Sequence, residues 1–206
     1  MNTQEQGMDM GFTKEIIPEC HHMCLIYDNE EQRREIVSAY LAAGIKGKEI
    51  VRYFTDQTSP DQLYAWLAEK GVEFQEDDAF RILPAESAYC PSGSFVPQQV
   101  IDNAVARYTT ARQAGYTASR VTGEMNWILR GNYSHNLLLE YEVGLNKIRN
   151  DFPRVGMCQY DARLFDGAML FNVLQVHPYM VAQGQIVRNP FYIKPEEFLA
   201  KFQRDV

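Results

Sequence analysis

The stretch Cys20–Val37, CHHMCLIYDNEEQRREIV, joins an apolar run to an amphipathic one through Asp28-Asn29-Glu30-Glu31-Gln32. HMCLIY has the length and continuity of a buried strand. Asp28 or Asn29 can cap the helix that follows, and Glu30 and Glu31 suit its positive end. Ile36, Val37, Tyr40 and Leu41 fall at helical spacing, with Gly44 or Gly47 as the stop. Many α/β proteins hold a nucleotide phosphate at such a strand–turn–helix, using glycine amides and a lysine. This turn has neither, and its carboxylates repel phosphate, so ATP hydrolysis by the usual route is not expected.

Working outward, EIVRYFT reads as a second strand. SPDQLYAWLAEKG reads as a helix with Ser59 as N-cap and Pro60 in its first turn. FRILPAE is a third strand, YCPSGSF a loop, and VPQQVIDNAVARYTTARQAG a long helix. ASRVTGEM is a strand, and SHNLLLEYEVGLNKIRN a helix with Leu137, Leu138, Tyr141 and Leu145 inward. RVGMCQYD is a strand, and DGAMLFNVLQVHP a helix closed by Pro178. YMVAQGQIVRNPFY reads as two short strands joined near Gly184, and KPEEFLAKF as a terminal helix. Strands alternating with helices predict an α/β, three-layer, mostly parallel sheet flanked by helices, with a C-terminal antiparallel edge hairpin. Residues 1–14 read as a flexible tail and 15–206 as a single domain.

The bulk numbers agree. A chain of 206 residues, 46% of them hydrophobic, can bury a sizeable core. Its net charge of −7 argues against a broad nucleic-acid surface. No apolar run reaches the roughly 20 residues that span a bilayer. The polar start MNTQEQGMDMGF lacks the pattern of a signal peptide, so a cytoplasmic location is expected. The four cysteines, Cys20, Cys24, Cys90 and Cys158, are too few for a disulfide scaffold and are expected as free thiols.

Two resemblances sharpen this reading. LAAGIKGKEIVRYFTDQTSPDQLYAWLAEKGVEF resembles the RecA-type core of the KaiC group, without its glycine-rich phosphate loop. Four segments, HHMCLIYDNEEQRREIV, RVTGEMNWILRGN with LLLEYEVGLN, CQYDARLF, and VLQVHPYMVAQGQIVRNPFY, together resemble the methanogen/methylotroph sensory domain family, MEDS, named from DcmR. The resemblance runs from about Glu19 to Phe202. It implies a KaiC-like domain lacking the phosphate loop, which senses small hydrocarbon derivatives and serves signal transduction or transcription regulation. That family is often joined to DNA-binding or kinase modules. No output module is evident here, so a signal is expected to leave through a partner or through self-association, as in a homodimer.

Cys20, His21, His22 and Cys24 form the densest cluster of soft ligands. Positions 20, 22 and 24 of a strand share a face. His22, Cys24, Cys158 and His177 are therefore a candidate zinc or iron set, against the plainer reading of Cys24 as a core residue. The resemblance makes His22, Cys24, His177 and Pro178 motif positions and leaves Cys20 and His21 incidental. Glu124 and Trp127 follow a strand end, where open α/β sheets collect ligands. The plainer reading has Glu124 capping the next helix and Trp127 filling the core. Tyr27, Tyr160 and Asp161 end strands expected to be neighbours. Asp161 can instead pair with Arg163 or Arg130, and His177 can cap a helix.

The expected ligand site is a single mouth at the strand C-termini, formed by His22, Cys24, Tyr27, Glu124, Trp127, Tyr160, Asp161 and His177. It suits a small apolar or weakly polar molecule. The leading expectation is a non-enzymatic sensor with no cofactor and no direct nucleic-acid or membrane contact. The alternatives are a metal or redox sensor, a degenerate nucleotide hydrolase using Glu124 and Asp161, and a purely structural interaction module.

Overall fold

Short apolar runs build the sheet, and helices capped by Asn29, Ser59 and Asp166 follow three of them. The computed structural model describes residues 7–14, 21–72, 78–131, 133–148 and 153–202, with His21, Lys201 and Phe202 described in their backbone alone. Cys20 lies outside these residues. The elements in order are β1 (His21–Tyr27), α1 (Glu30–Lys46), β2 (Ile50–Thr55), α2 (Pro60–Glu69), β3 (Phe80–Pro84), α3 (Ala85–Tyr89), α4 (Pro97–Gln113) and β4 (Ser119–Glu124). A 3-10 turn (Asn126–Leu129) precedes α5 (His135–Lys147), β5 (Arg154–Asp161), α6 (Gly167–Val176), β6 (Tyr179–Ala182), β7 (Gln185–Arg188) and α7 (Pro195–Phe202).

The strands form one seven-stranded sheet in the order β3-β2-β4-β5-β1-β6-β7. All pairs are parallel except β6–β7, so the expected doubly covered sheet with an antiparallel edge hairpin is observed. The hairpin turns through Gln183 and Gly184, both at positive φ, as a two-residue turn matching strand twist requires.

Side chains alternate across the sheet and divide the core in two. Met23, Leu25, Tyr27, Tyr53, Val155 and Met157 pack under α1 and α2, against Val37, Tyr40, Leu41, Leu63 and Leu67. Cys24, Phe54, Cys158 and Tyr160 face the other way, against Tyr89, Val100, Leu138, Tyr141, Val173 and Val176. Met8 and Met10 belong to the first core, so the tail expected over residues 1–14 is packed in its second half. The segment Ala85–Tyr89, before the expected loop, is a short helix.

The caps follow the sequence closely. Asn29 caps α1, its side chain accepting from the Gln32 amide at 3.0 Å. Ser59 and Gln62 form a reciprocal capping box on α2. Gly44 does not end α1, which runs to Lys46 with Gly47 as C-cap. Its missing side chain instead admits Arg120: a Cβ there would stand 2.6 Å from Arg120 Cδ and Nε. Arg120 has no freedom to yield. It is fully buried, makes a bidentate bond to Glu49 at 2.6 and 2.8 Å, and donates to the Tyr40 carbonyl at 3.0 Å.

Two substitutions check this account by thermal unfolding. Asn29→Ala is expected to cost about 1 kcal/mol through the lost cap. Gly44→Ala should gain about 1 kcal/mol of helix propensity but lose more from overpacking and a displaced buried ion pair, giving a net loss of about 1–3 kcal/mol. A Gly44→Ala protein as stable as the parent would contradict the packing described here.

Candidate functional site

In this architecture the nucleotide crevice would lie where β1 hands over to α1. The connection is only Asp28 and Asn29, too short for a loop that wraps a phosphate. The first turn of α1 then sends Arg33 inward, 3% exposed, into the space beneath the strand ends. Its guanidinium lies 2.9 Å from Glu124 Oε1. It donates to Gln159 Oε1, Tyr53 Oη and Thr58 Oγ1, each at 2.9 Å, and to Glu30 Oε2 at 3.0 Å. The Tyr27 ring lies beneath it at 5.1 Å.

Glu124 is equally committed. It accepts from Tyr53 Oη at 2.5 Å and from the backbone amides of Asp56, Gln57 and Thr58. Burial pushes its carboxyl pKa up, but Arg33, Thr58, Tyr53 and the Gln57 amide outweigh this and hold it below the usual carboxylate value. Glu124 therefore braces the β2–α2 connection and does not cap the turn after β4. Asp161, beside it, is bonded by Arg163 at 2.6 and 2.8 Å, while Arg130 pairs with Asp56 instead. The crevice is filled by the protein's own charges.

A second polar group lies on the opposite side of the sheet. His22 from β1, Glu142 from α5, Cys158 from β5 and His177 at the end of α6 are all buried. One donor atom from each lies within 4.8 Å of all the others. His22 Nε2 is 3.0 Å from Glu142 Oε2 and 3.3 Å from Cys158 Sγ. Glu142 Oε2 is 3.5 Å from His177 Nε2 and 3.6 Å from Cys158 Sγ. Among the described residues, these four are the set that could hold a metal ion.

Local structure explains the convergence. Parallel pairing sets Cys158 beside Cys24 and His22 beside Gly156. Leu138, Glu142 and Asn146 recur every four residues and form a line along the inner face of α5. Asn189 fixes the turn after α6 by donating to the His177 carbonyl at 2.8 Å.

Burial and the neighbouring His177 push the His22 pKa down. Burial raises the Cys158 thiol, and the Glu142 charge raises it further. For Glu142 burial opposes the charge, but His177 and His22 hold the carboxyl below its usual range. Tyr160 Oη donates to Glu142 Oε1 at 2.5 Å.

A small cavity of about 50 Å³ adjoins this cluster between the sheet and helices α4 and α5. His22 and Cys158 form one end, and Phe54, Tyr89, Tyr108 and Tyr141 supply aromatic walls. Above Gly123 the Tyr89 hydroxyl comes so close that a Cβ would lie 2.3 Å from it. Trp127 stacks on Tyr89 at 4.9 Å, behind this wall. A larger open groove of about 620 Å³ runs between α4, α5 and α7, and among the described residues no cluster of buried titratable groups converges on it.

The expected single mouth is therefore two places. Tyr27, Glu124 and Asp161 lie on the α1 side, while His22, Cys24, Tyr160, His177 and Trp127 lie on the other. Strand parity separates them, since His22 and Tyr27 are five residues apart on one strand. Of the sequence-derived metal set, His22, Cys158 and His177 come together. Cys24 is buried close by, its thiol facing the Tyr179 carbonyl at 3.8 Å, and Glu142 takes its place in the cluster. Glu142 was the missed residue. The signal was a carboxylate on the apolar stripe of a helix, four residues after Leu138.

With this geometry in place, comparison with known proteins is informative. The chain resembles three crystal structures with TM-scores of 0.56 to 0.58. An uncharacterized Pyrococcus horikoshii protein, solved with an unknown peptide, is 13% identical, with 88% of this chain and 91% of that one covered (TM-score 0.58). A KaiC-like protein of Pyrococcus horikoshii OT3 is 13% identical, with 85% and 77% covered (0.56). Flagellar accessory protein FlaH of Methanocaldococcus jannaschii is 8% identical, with 89% and 84% covered (0.57). At these identities the likeness shows the KaiC/RecA-like fold alone.

In sequence, the chain is 24% identical over 176 residues to the transcriptional repressor DcmR of Methylorubrum extorquens strain DM4. The match covers 85% of this chain and 62% of that relative's length. The profile of the methanogen/methylotroph, DcmR sensory domain matches residues 21–178. The chain belongs to the MEDS sensory-domain family.

Proposed function

We propose that this domain is a non-enzymatic receiver for a small molecule, and that reception takes place on the α4–α5 side of the sheet. The observation that carries this reading is the Arg33–Glu124 pair. It fills the crevice in which a KaiC-like fold would place a nucleotide, and it commits Glu124, while Arg163 commits the second candidate acid, Asp161. The aromatic cavity beside His22 and Cys158 has room for a molecule of a few heavy atoms, on the order of a few waters in size. Its walls suit a one-carbon or similarly small hydrocarbon derivative better than a phosphorylated ligand.

The output in this reading is regulatory. The DcmR relative is a transcriptional repressor with length beyond the matched region. By analogy the ligand biases the packing of α4 and α5 on the sheet, and a partner protein or second subunit reads the change. The proposal includes a cytoplasmic site of action. Among the described residues, no helix is long and apolar enough to cross a membrane.

A thermal-shift panel of halogenated and methylated one-carbon compounds tests the reading. A binder at 100 times its Kd stabilises by about 2.7 kcal/mol, several degrees for a domain of this size. Mg-ATP should give no shift. ATP turnover abolished by Glu124→Gln would overturn the proposal.

The filled crevice makes two further predictions. Arg33→Met leaves the Glu124 carboxylate buried without its cation, so unfolding should become easier by about 3–5 kcal/mol. The lowered Glu124 pKa also means stability that is complete above the ordinary value of 4.5 and lost as pH falls through the lower folded value. Glu124→Gln should be less stable at neutral pH and show a shallower loss on acidification. An identical acid profile in the two proteins would show that Glu124 does not supply this dependence.

A further inference from the structure

We propose that His22, Glu142, Cys158 and His177 form a divalent metal site, with zinc the best chemical match. The inference rests on the cluster alone and not on what enters the neighbouring cavity.

Proton positions argue first. His177 Nδ1 lies 2.8 Å from the Val173 carbonyl, which only accepts, so Nδ1 carries the hydrogen. The Asn146 amide nitrogen donates to the Val176 carbonyl at 2.6 Å, which turns its oxygen to His22 Nδ1 at 3.2 Å. His22 Nδ1 therefore carries its hydrogen too. When both rings are neutral, as metal ligation requires, each Nε2 lone pair points into the cluster, toward the carboxylate oxygen of Glu142. His177 Nε2 is buried and makes no hydrogen bond. Three acceptors thus converge on one point, where only the Cys158 thiol has a proton to give. A structural His22–Glu142 ion pair would settle one contact and leave His177 Nε2 unsatisfied. A cation settles all of them.

The spacing argues second. Tetrahedral zinc with bonds of about 2.0–2.3 Å puts its donor atoms roughly 3.3–3.8 Å apart. Four of the six separations are 3.0, 3.3, 3.5 and 3.6 Å, and the two from His177 Nε2 to His22 Nε2 and to Cys158 Sγ lie within 4.8 Å, so a small inward shift of His177 completes the shell. The outer contacts are those of a metal site, where each imidazole donates its far N–H and the carboxylate is held by a second group. Val173, Asn146 and Tyr160 fill these roles.

Charge argues third. One divalent ion with a Glu142 carboxylate, a Cys158 thiolate and two neutral imidazoles sums to zero, which a buried site requires. Binding breaks the Cys158 S–H bond, and that proton leaves to solvent, one per ion. Two nitrogens, one oxygen and one sulfur suit zinc and ferrous iron above magnesium or calcium.

The test is elemental analysis of the full chain purified without added metal, followed by chelation and reloading with Zn²⁺ or Co²⁺. About one equivalent per chain is expected after purification or after reloading. The Co²⁺ form should show intense visible bands of tetrahedral geometry and a thiolate-to-cobalt charge-transfer band. Cys158→Ser should remove the charge-transfer band. Asn146→Ala, which touches no donor atom directly in the ion's shell, should weaken binding by about 10–100-fold. Circular dichroism on each variant separates lost binding from lost folding, and the parent's cobalt spectrum stands without any variant. Less than a tenth of an equivalent with no cobalt spectrum on reloading would overturn the proposal. So would a charge-transfer band that survives in folded Cys158→Ser.

Discussion

The ion pair between Arg33 and Glu124 is the constraint around which the rest is arranged. Arg33 reaches the crevice because β1 passes into α1 through two residues, leaving no loop between the helix terminus and the strand ends. Glu124 in turn gathers three amides of the β2–α2 connection, so one carboxylate ties β4, β2 and α1 together. A buried charge with this many partners resists displacement, because removing any one leaves the others uncompensated in a poor dielectric. In this chain the space beyond the end of β1 holds an internal brace.

That brace explains the two-sided character of the molecule. The α1 side is a structural side, with Arg120 and Glu49 repeating the same device at the other end of β4. The α4–α5 side gathers two imidazoles, a carboxylate and a thiol beside an aromatic cavity. Burying four such groups within 4.8 Å of one another costs desolvation and order. The sensory assignment of the family and the location of this cluster fit each other without any part for a nucleotide.

Much of this was legible in the residues. The strand–turn–helix order, the Asn29 and Ser59 caps, and the edge hairpin follow from local signals that tertiary contacts did not override. His22 and Cys158 were visible as soft ligands, and His177 as a motif position. Glu142 was not, because a glutamate inside a helix ordinarily faces water, and only its place on the Leu138 stripe marks it as buried. The division of the expected mouth was lost for a different reason. Residues at the ends of adjacent strands were grouped by position along the chain, while strand parity sends Tyr27 and His22 to opposite faces. Of the two glycines expected as stops for α1, Gly47 is the C-cap, while Gly44 makes room for Arg120, a contact 76 positions away that no local pattern carries.

Native mass spectrometry of the purified chain with Mg-ATP added, followed by the same sample denatured, tests the central claim most directly. The account predicts a native mass exceeding the denatured one by a single metal ion and unchanged by the nucleotide. A nucleotide adduct on a chain carrying no ion would contradict it, and would return the binding site to the crevice that Arg33 and Glu124 occupy.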